Sequence, residues 1–362
     1  MIGSVAIADT IEDLTPEWFT GALREGGTIA EGGSVTSAES EFIGTGQLGS
    51  VVLSKLAYEG APDAPPSLVV KLPSRDETAR QMGVALRVYE AEVRFYEEIS
   101  PMVEVAVPAM HWGGIEPETG RFTLVLDDLS RTAAVGDAIA GGTVEQLELA
   151  MRFLAELQTP LWDSSELRRH EWLSDLARTE MLFGAVPGAL EPFAERFGSL
   201  IEPEHLKLAR ELAPKAAGVV TKLWGHPFVI SHGDYRVDNM MFGTAPGSAP
   251  LAVIDWQGTR MGLPALDIAY CLAASMSTED RRTHERDLIR SYHKALPASA
   301  TADFSLDDCW ESYRVGSLYP FLALLPASLT LEQTERGDQM LAGLIGNAAD
   351  LVADTGVSDL LA

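Results

Sequence analysis

The spacing of apolar residues changes about a third of the way along the chain. Up to residue 127 they fall in short β-branched or apolar runs closed by turn residues, at Val51–Leu56, Ser67–Lys71 and Phe122–Leu126. Such runs predict strands. Leu86–Ile99 breaks the pattern: Val88, Phe95, Tyr96 and Ile99 share one face at helical spacing, which predicts a helix. Beyond residue 143 the period lengthens, and helices are expected near Val144–Leu157, Leu206–Val220, Arg286–Leu296 and Leu306–Leu325. A strand island at 228–255 sits inside this helical half. Glycine and proline gather at 26–33, 60–66, 113–120, 141–142 and 243–250, which read as turns. The pattern predicts an α+β chain with a β-rich lobe over residues 1–127, a mostly helical lobe over 128–362, and a cleft between them.

Charge narrows the partners. The chain has 53 acidic against 27 basic residues and a formal net charge of −26, which excludes a general binder of nucleic acid or of anionic membranes. A cationic substrate stays open on the same ground. Cys271 and Cys309 are far apart, so neither a disulfide framework nor a structural zinc site is expected. Met1–Trp18 lacks a basic leader region, and Leu318–Leu329 is too short to span a bilayer and contains two prolines. A cytoplasmic protein is expected.

Chemistry concentrates in three places. Gly44-Thr45-Gly46-Gln47-Leu48-Gly49 is a G-x-G-x-x-G turn followed by Ser50 and a strand, where a dinucleotide fold would continue into a helix. It reads either as a plain hairpin turn or as a loop whose backbone N–H groups approach phosphates. Lys71 ends the third strand, and Glu92 lies on the apolar face of the predicted helix between Val88 and Tyr96. A carboxylate buried there needs a cation, and Lys71 is the candidate; the plain alternative is a Glu92 that reaches solvent at the helix edge.

The third place is His232-Gly233-Asp234-Tyr235-Arg236-Val237-Asp238-Asn239. It has the H-x-D-x-x-x-x-N spacing of kinase catalytic loops and is followed by the apolar run Leu251–Ile254 ending in Asp255. Phosphoryl transfer uses these residue types. One carboxylate takes the proton of the attacking hydroxyl, while an amide oxygen and a second carboxylate hold Mg²⁺. Asp234 suits the base, and Asn239 and Asp255 suit the metal. A polar turn capped by Asp238 or Asn239 is the structural alternative, and a His–Asp metal hydrolase is disfavoured because the other histidines show no ligand spacing.

With these motifs, the chain resembles the aminoglycoside-phosphotransferase-like kinases, most closely bacterial members similar to ecdysteroid kinases. The likeness runs from Phe42–Gly46 through Tyr89–Tyr96, Asp127-Asp128-Leu129, His232–Phe242 and Ile254–Gln257 to Gly262–Tyr270. It implies a bilobal protein-kinase-like fold with a hinge near 125–129. ATP, or GTP in its place, would be the donor, Mg²⁺ the metal, and a small-molecule hydroxyl the acceptor. It implies a Lys71–Glu92 ion pair that positions the nucleotide under Gly44, Thr45, Gly46, Gly49 and Ser50. Adenine would meet the backbone of Leu126, Asp127, Asp128 and Leu129. Asp234 would be the base, with His232 bracing the loop and Asp267 supporting it from a helix start. Arg236 would touch phosphate or acceptor, or pair locally with its acidic neighbours. Two positions depart from the family pattern: Gln257 in the Asp-Phe-Gly-like element, and Leu-Asp-Asp-Leu at the hinge.

The acceptor is expected among segments 143–225 and 260–330. Their aromatics Trp162, Trp172, Phe183, Phe193, Trp310, Tyr313, Tyr319 and Phe321 are expected mostly in the core. Several of them lining the cleft would favour a bulky apolar alcohol over a polycation. A monomer or homodimer is expected. A nucleotide-binding pseudokinase and a metal-dependent phosphohydrolase are the alternatives.

Overall fold

A computed structural model describes residues 5–44, 48–174, 176–330 and 333–361. Its first third is built on five antiparallel strands: β1 (Ser34–Phe42), β2 (Gly49–Glu59), β3 (Ser67–Pro73), β4 (Met110–Glu116) and β5 (Arg121–Asp127), in the order β1-β2-β3-β5-β4. Alternation along β3 gives the sheet its two faces. Leu68, Val70 and Leu72 are buried in a core that also takes Phe19, Ala22 and Leu23 of helix α1 (Pro16–Glu25), whereas Val69 and Lys71 line a cavity on the other side. A slip of one residue would exchange the two sets. Lys71 pairs with Val51 of β2 and Leu124 of β5, so it stands at the middle of the sheet.

Helix α1 was not anticipated by apolar spacing. Its start is encoded in its cap: Pro16 takes the first helical position, and the Thr15 hydroxyl accepts from Trp18 N at 3.2 Å. The helix expected over Leu86–Ile99 is composite. Leu86 closes α2 (Glu77–Ala85), Arg87 turns the chain at φ 51°, and α3 (Val88–Arg94) runs into a π-helical turn, Phe95–Ile99. The widened turn accompanies a flat stack of Phe95 on Trp256, with centroids 3.8 Å apart and planes at 4°.

The rest of the chain is mainly helical. Helix α4 (Val144–Gln158) starts with a Thr143/Gln146 capping box, close to expectation. Two expected helices are broken, both at prolines. The segment around Leu206–Val220 divides into Pro203–Leu212 and Ala216–Leu223 at a turn containing Pro214. Leu306–Leu325 divides at Ser317 because Pro320 has no N–H and its ring would press on the carbonyl four residues back. The predicted Arg286–Leu296 is the latter part of Thr278–Ala295.

Short strands carry the remaining sheet structure: β6 (Ala133–Val135), β7 (Val229–Ser231), β8 (Met240–Gly243), β9 (Leu251–Val253) and β10 (Arg260–Gly262). They form a β6-β8-β9 sheet and a β7-β10 pair. Of the aromatics expected in the second lobe, Trp172, Phe183, Phe193, Tyr313 and Phe321 are core residues, and Trp162 and Trp310 are half-buried. Of that set, Tyr319 alone lines either of the two cavities described below. Both cysteines are free and buried. No described helix is long and apolar enough to cross a membrane.

Candidate active site

The loop after β7 hangs on one buried carboxylate. Asp267, in the first turn of helix Leu266–Ser275, accepts from Ser231 Oγ at 2.9 Å, His232 N at 2.7 Å and Gly233 N at 3.0 Å. His232 is fully buried: Nε2 donates to Ile254 O at 3.0 Å, and Nδ1 accepts from Asp234 N at 3.3 Å. With both ring nitrogens bound to backbone, His232 ties the end of β7 to the end of β9, and it lines neither cavity described below. Gly233 has φ 81°, and a Cβ there would lie 2.4 Å from Gly258 O, so only glycine fits.

Asp234 receives donors from several directions. Asn239 Nδ2 donates to its backbone oxygen at 2.8 Å and to Oδ2 at 3.0 Å; Arg236 Nε lies 3.3 Å from Oδ1. Burial raises the pKa of this carboxyl, but the Arg236 guanidinium and hydrogen bonds from Tyr270 and Asn239 outweigh burial and hold it below the usual aspartate value. Arg236 also binds Asp238 at 2.8 Å, so its local pairing is present. Tyr270 lies three residues after Asp267, on the same helix face, a spacing that brings both side chains to the loop.

Asp255 follows β9 with φ 66° and ψ 62°, a left-handed conformation that costs a non-glycine residue about 1–3 kcal/mol. The turn aims its carboxylate at Lys71. Lys71 Nζ lies 2.7 Å from Asp255 Oδ1 and 2.5 Å from Glu92 Oε1. Burial disfavours the ammonium, but the attraction of Asp255 and Glu92 is larger and raises its pKa above the ordinary lysine value. Burial, reinforced by Asp255, raises the Glu92 pKa against the pull of Lys71. Glu92 therefore does not reach solvent; it is almost wholly buried and paired. Gln257, at the position that departs from the family pattern, donates to Asp255 Oδ2 at 3.3 Å.

Two cavities meet at this loop. The first, about 710 Å³, is lined by Gly44, Gly49, Ser50, Lys71, Glu92, Leu126, Asp127, Asp128, Leu129, Asn239 and Asp255. Thr45 and Gly46 lie outside the described residues. Gly44 has φ 69°, and strand β2 begins at Gly49. Tyr89 supports the approach to β2: its hydroxyl donates to Leu48 O while its ring stacks on Phe122 at 4.5 Å. At the hinge, Asp127 lies 2.7 Å from His111 Nε2, and Asp128 accepts from Ser67 Oγ and Ser130 Oγ, each at 2.6 Å. The second cavity, about 790 Å³, has mainly apolar walls from helices Ala177–Phe197, Leu318–Ala327 and Glu335–Thr355. Asp234, Arg236, Gln257, Leu48 and Met340 line both.

The donor set fits Mg²⁺. Asn239 uses its amide nitrogen on Asp234, which leaves the amide oxygen for a cation, and Asp255 supplies a carboxylate. Mg²⁺ takes few protein oxygens and completes its shell with phosphate and water; among the described residues no group of three His, Cys, Asp or Glu side chains is spaced to hold a metal. Sequence reasoning missed Arg260 and assigned no role to Tyr270. Arg260 leaves no motif signal, because only the β7-β10 pairing brings it beside Ser231.

Comparison with solved structures gives the fold. The chain is similar to an ethanolamine kinase from Plasmodium vivax, with 12% identity over 91% of this chain and 84% of that one and a TM-score of 0.52. It also aligns with a microcompartment-associated aminopropanol kinase at 13% identity, covering 92% and 95% of the two chains with a TM-score of 0.49. A GDP complex of an aminoglycoside 2'-phosphotransferase aligns at 13% identity over 90% and 94%, with a TM-score of 0.45. The chain thus has the two-lobed, protein-kinase-like fold of small-molecule kinases. A sequence family, DUF1679, described as "Uncharacterized oxidoreductase dhs-27", matches residues 182–349, less than half of the chain. No curated protein sequence matches.

Proposed function

We propose that this protein is an ATP-dependent O-phosphotransferase that acts on a small-molecule alcohol. Residues 1–127 form its nucleotide-binding lobe and 128–362 its catalytic and acceptor-binding lobe. One observation carries the reading: Asp234 stands in the wall shared by the two cavities, one of them lined by the glycine turn, Lys71, Asn239 and Asp255. A nucleotide in the first cavity and an alcohol in the second would meet at that carboxylate.

In the reaction, the acceptor oxygen forms a bond to the γ-phosphorus as the bond to the β,γ-bridging oxygen breaks. The hydroxyl proton passes to Asp234 and ADP departs. The loose transition state of phosphoryl transfer asks little of base strength and much of positioning, so a carboxylate held below its usual pKa is suitable. Asn239 and Asn239-bound Asp234 orient each other, Lys71 meets the α- and β-phosphates, and Arg236 offers charge where the two cavities join. Mg²⁺ held by Asn239 and Asp255 would neutralise phosphate charge. His232 acts by bracing the loop.

The word oxidoreductase belongs to the description of one matched family. In this chain the glycine-rich segment is followed by strand β2 from Gly49, whereas a dinucleotide-binding turn opens into a helix. The reading is tested by ADP release from Mg·ATP with an alcohol panel, using Asp234→Asn as the blank. Acceptor-dependent ADP release from the wild type alone supports it. Phosphate release without acceptor, with no rise in ADP when an acceptor is added, would point to a hydrolase.

A further inference from the structure

The second cavity carries a charge opposite to that of the protein. The chain has a net charge of −26, yet the charged side chains among the described residues lining this cavity are Arg178, Arg236, Arg260, Arg336 and the single carboxylate Asp234. Arg236 is paired with Asp234 and Asp238. Arg178 holds the carbonyls of Gln257 and Thr259 at 3.1 Å each, and Arg336 is exposed at the rim. Arg260 is the informative residue.

Arg260 lines the second cavity but not the first, so its charge is directed to the acceptor side. Its guanidinium lies over the Tyr319 ring, 4.7 Å from the centroid, and Nε donates to Gly258 O at 3.0 Å. Tyr319 is itself held by a hydrogen bond to Gly233 O at 3.3 Å. These contacts fix the guanidinium plane and engage one of its edges, leaving the Nη groups. No carboxylate forms an ion pair with Arg260 among the described residues. An arginine fixed in a largely apolar cavity without an anion is a ready partner for a ligand carboxylate, which the planar fork meets with two parallel hydrogen bonds.

Its position sets the spacing of the ligand groups. A Cβ built on Gly233 would lie 3.0 Å from Arg260 Nη2, so the guanidinium packs against the residue that precedes Asp234. An anion held by Arg260 lies beside the group that takes the hydroxyl proton. The remaining walls, including Met181, Leu182, Ala327 and Leu344, are apolar and extend away from both. We infer that the acceptor is an amphipathic hydroxy acid, with hydroxyl and carboxylate closely spaced at one end of a bulky apolar body, and that Arg260 selects it. The same walls offer a polycation a single carboxylate, already paired with Arg236, beside the Arg260 guanidinium. The inference rests on the phosphotransferase reading only in treating the ligand as the acceptor.

The test compares three ligands of one chain length: β-hydroxylauric acid, its methyl ester, and the amino alcohol with an amine in place of the carboxylate. Binding to the full chain is measured by calorimetry and phosphomonoester formation by phosphorus NMR. The acid is expected to bind at least tenfold tighter than the ester, with the amino alcohol weakest. Arg260→Gln should weaken acid binding by roughly tenfold to a hundredfold, as expected for a lost charge-assisted hydrogen bond, and leave ester binding nearly level. Arg260→Lys should recover part of the preference, and melting curves of both variants establish that they are folded. Equal binding of the three ligands, tightest binding of the amino alcohol, or no saturable binding of the acid would overturn the inference. Arg260-dependent binding of the acid without phosphomonoester would uphold it while removing the phosphotransferase reading. Phosphorylation of the amino alcohol in preference would do the reverse.

Discussion

The two cavities that share Asp234 differ in how their charges are arranged. Six carboxylates and two cations line the first cavity, proposed for the nucleotide, whereas one carboxylate and four arginines line the second, proposed for the acceptor, among the described residues. On the first side Lys71 joins Glu92 to Asp255 and Arg236 joins Asp234 to Asp238, while Asp127 and Asp128 are held by His111 and by serine hydroxyls. If a polyphosphate enters this cavity as proposed, its charge would be offset by a divalent cation, for which Asn239 and Asp255 offer oxygen donors. On the second side arginine charge stands in apolar walls. On the proposed reading, the first cavity would hold a metal–nucleotide and the second would receive charge from its ligand.

Exchange at the shared wall has the largest expected effect. Asp234→Asn should lower phosphoryl transfer by roughly 10²- to 10⁴-fold, the range for loss of a general base, with Mg·ATP affinity changed only a few-fold. Steady-state ADP release and nucleotide calorimetry check the two halves. A variant that loses nucleotide binding in proportion to turnover would place Asp234 on the donor side alone.

Opening the Lys71 ion pairs comes next. Lys71→Ala leaves Glu92 buried beside Asp255 without its cation and should destabilise the fold by about 3–5 kcal/mol, read from denaturant unfolding. Adding Glu92→Leu should return part of that loss, because the uncompensated charge is removed. A further loss in the double variant would show that the pair is not the element that matters.

A smaller effect concerns pH. The Asp234 carboxyl is held below its usual pKa, so its ionised form, and the stability that goes with it, persist until pH falls through that lowered value. Arg236→Gln removes the largest attraction and should move the acidic limb of kcat/KM upward, toward neutrality. An unchanged limb would assign the titration to another group. Tyr270→Phe, which deletes one donor to Asp234, should shift the limb the same way by less and lower turnover by about tenfold.

The same comparison separates what was legible in the chain from what was not. The donor side is built from contiguous motifs: the glycine turn, a strand ending in Lys71, and the run from His232 to Asn239 with Asp255 after the next strand. The Lys71–Glu92 contact is one of two readings of the local periodicity, since a carboxylate on the apolar helix face either finds a cation or reaches solvent. The acceptor side is assembled from helices Ala177–Phe197, Leu266–Ser275, Leu318–Ala327 and Glu335–Thr355, far apart in sequence. Nothing local marks Arg260 or Tyr319 as neighbours of Gly233. The expectation that most acceptor-lobe aromatics are core held for Trp172, Phe183, Phe193, Tyr313 and Phe321, so apolar walls come instead from leucine, methionine and alanine. Helix boundaries failed where proline overrode a continuous apolar stripe, at Pro214 and Pro320.

The most direct test of the shared wall is phosphorus NMR of Mg·ATP turnover with β-hydroxylauric acid as acceptor, run in parallel on wild type and Asp234→Asn. The account predicts a new phosphomonoester signal rising with ADP, dependent on acceptor, in the wild type alone. Inorganic phosphate as the sole product, formed at the same rate with or without acceptor and in both proteins, would contradict it.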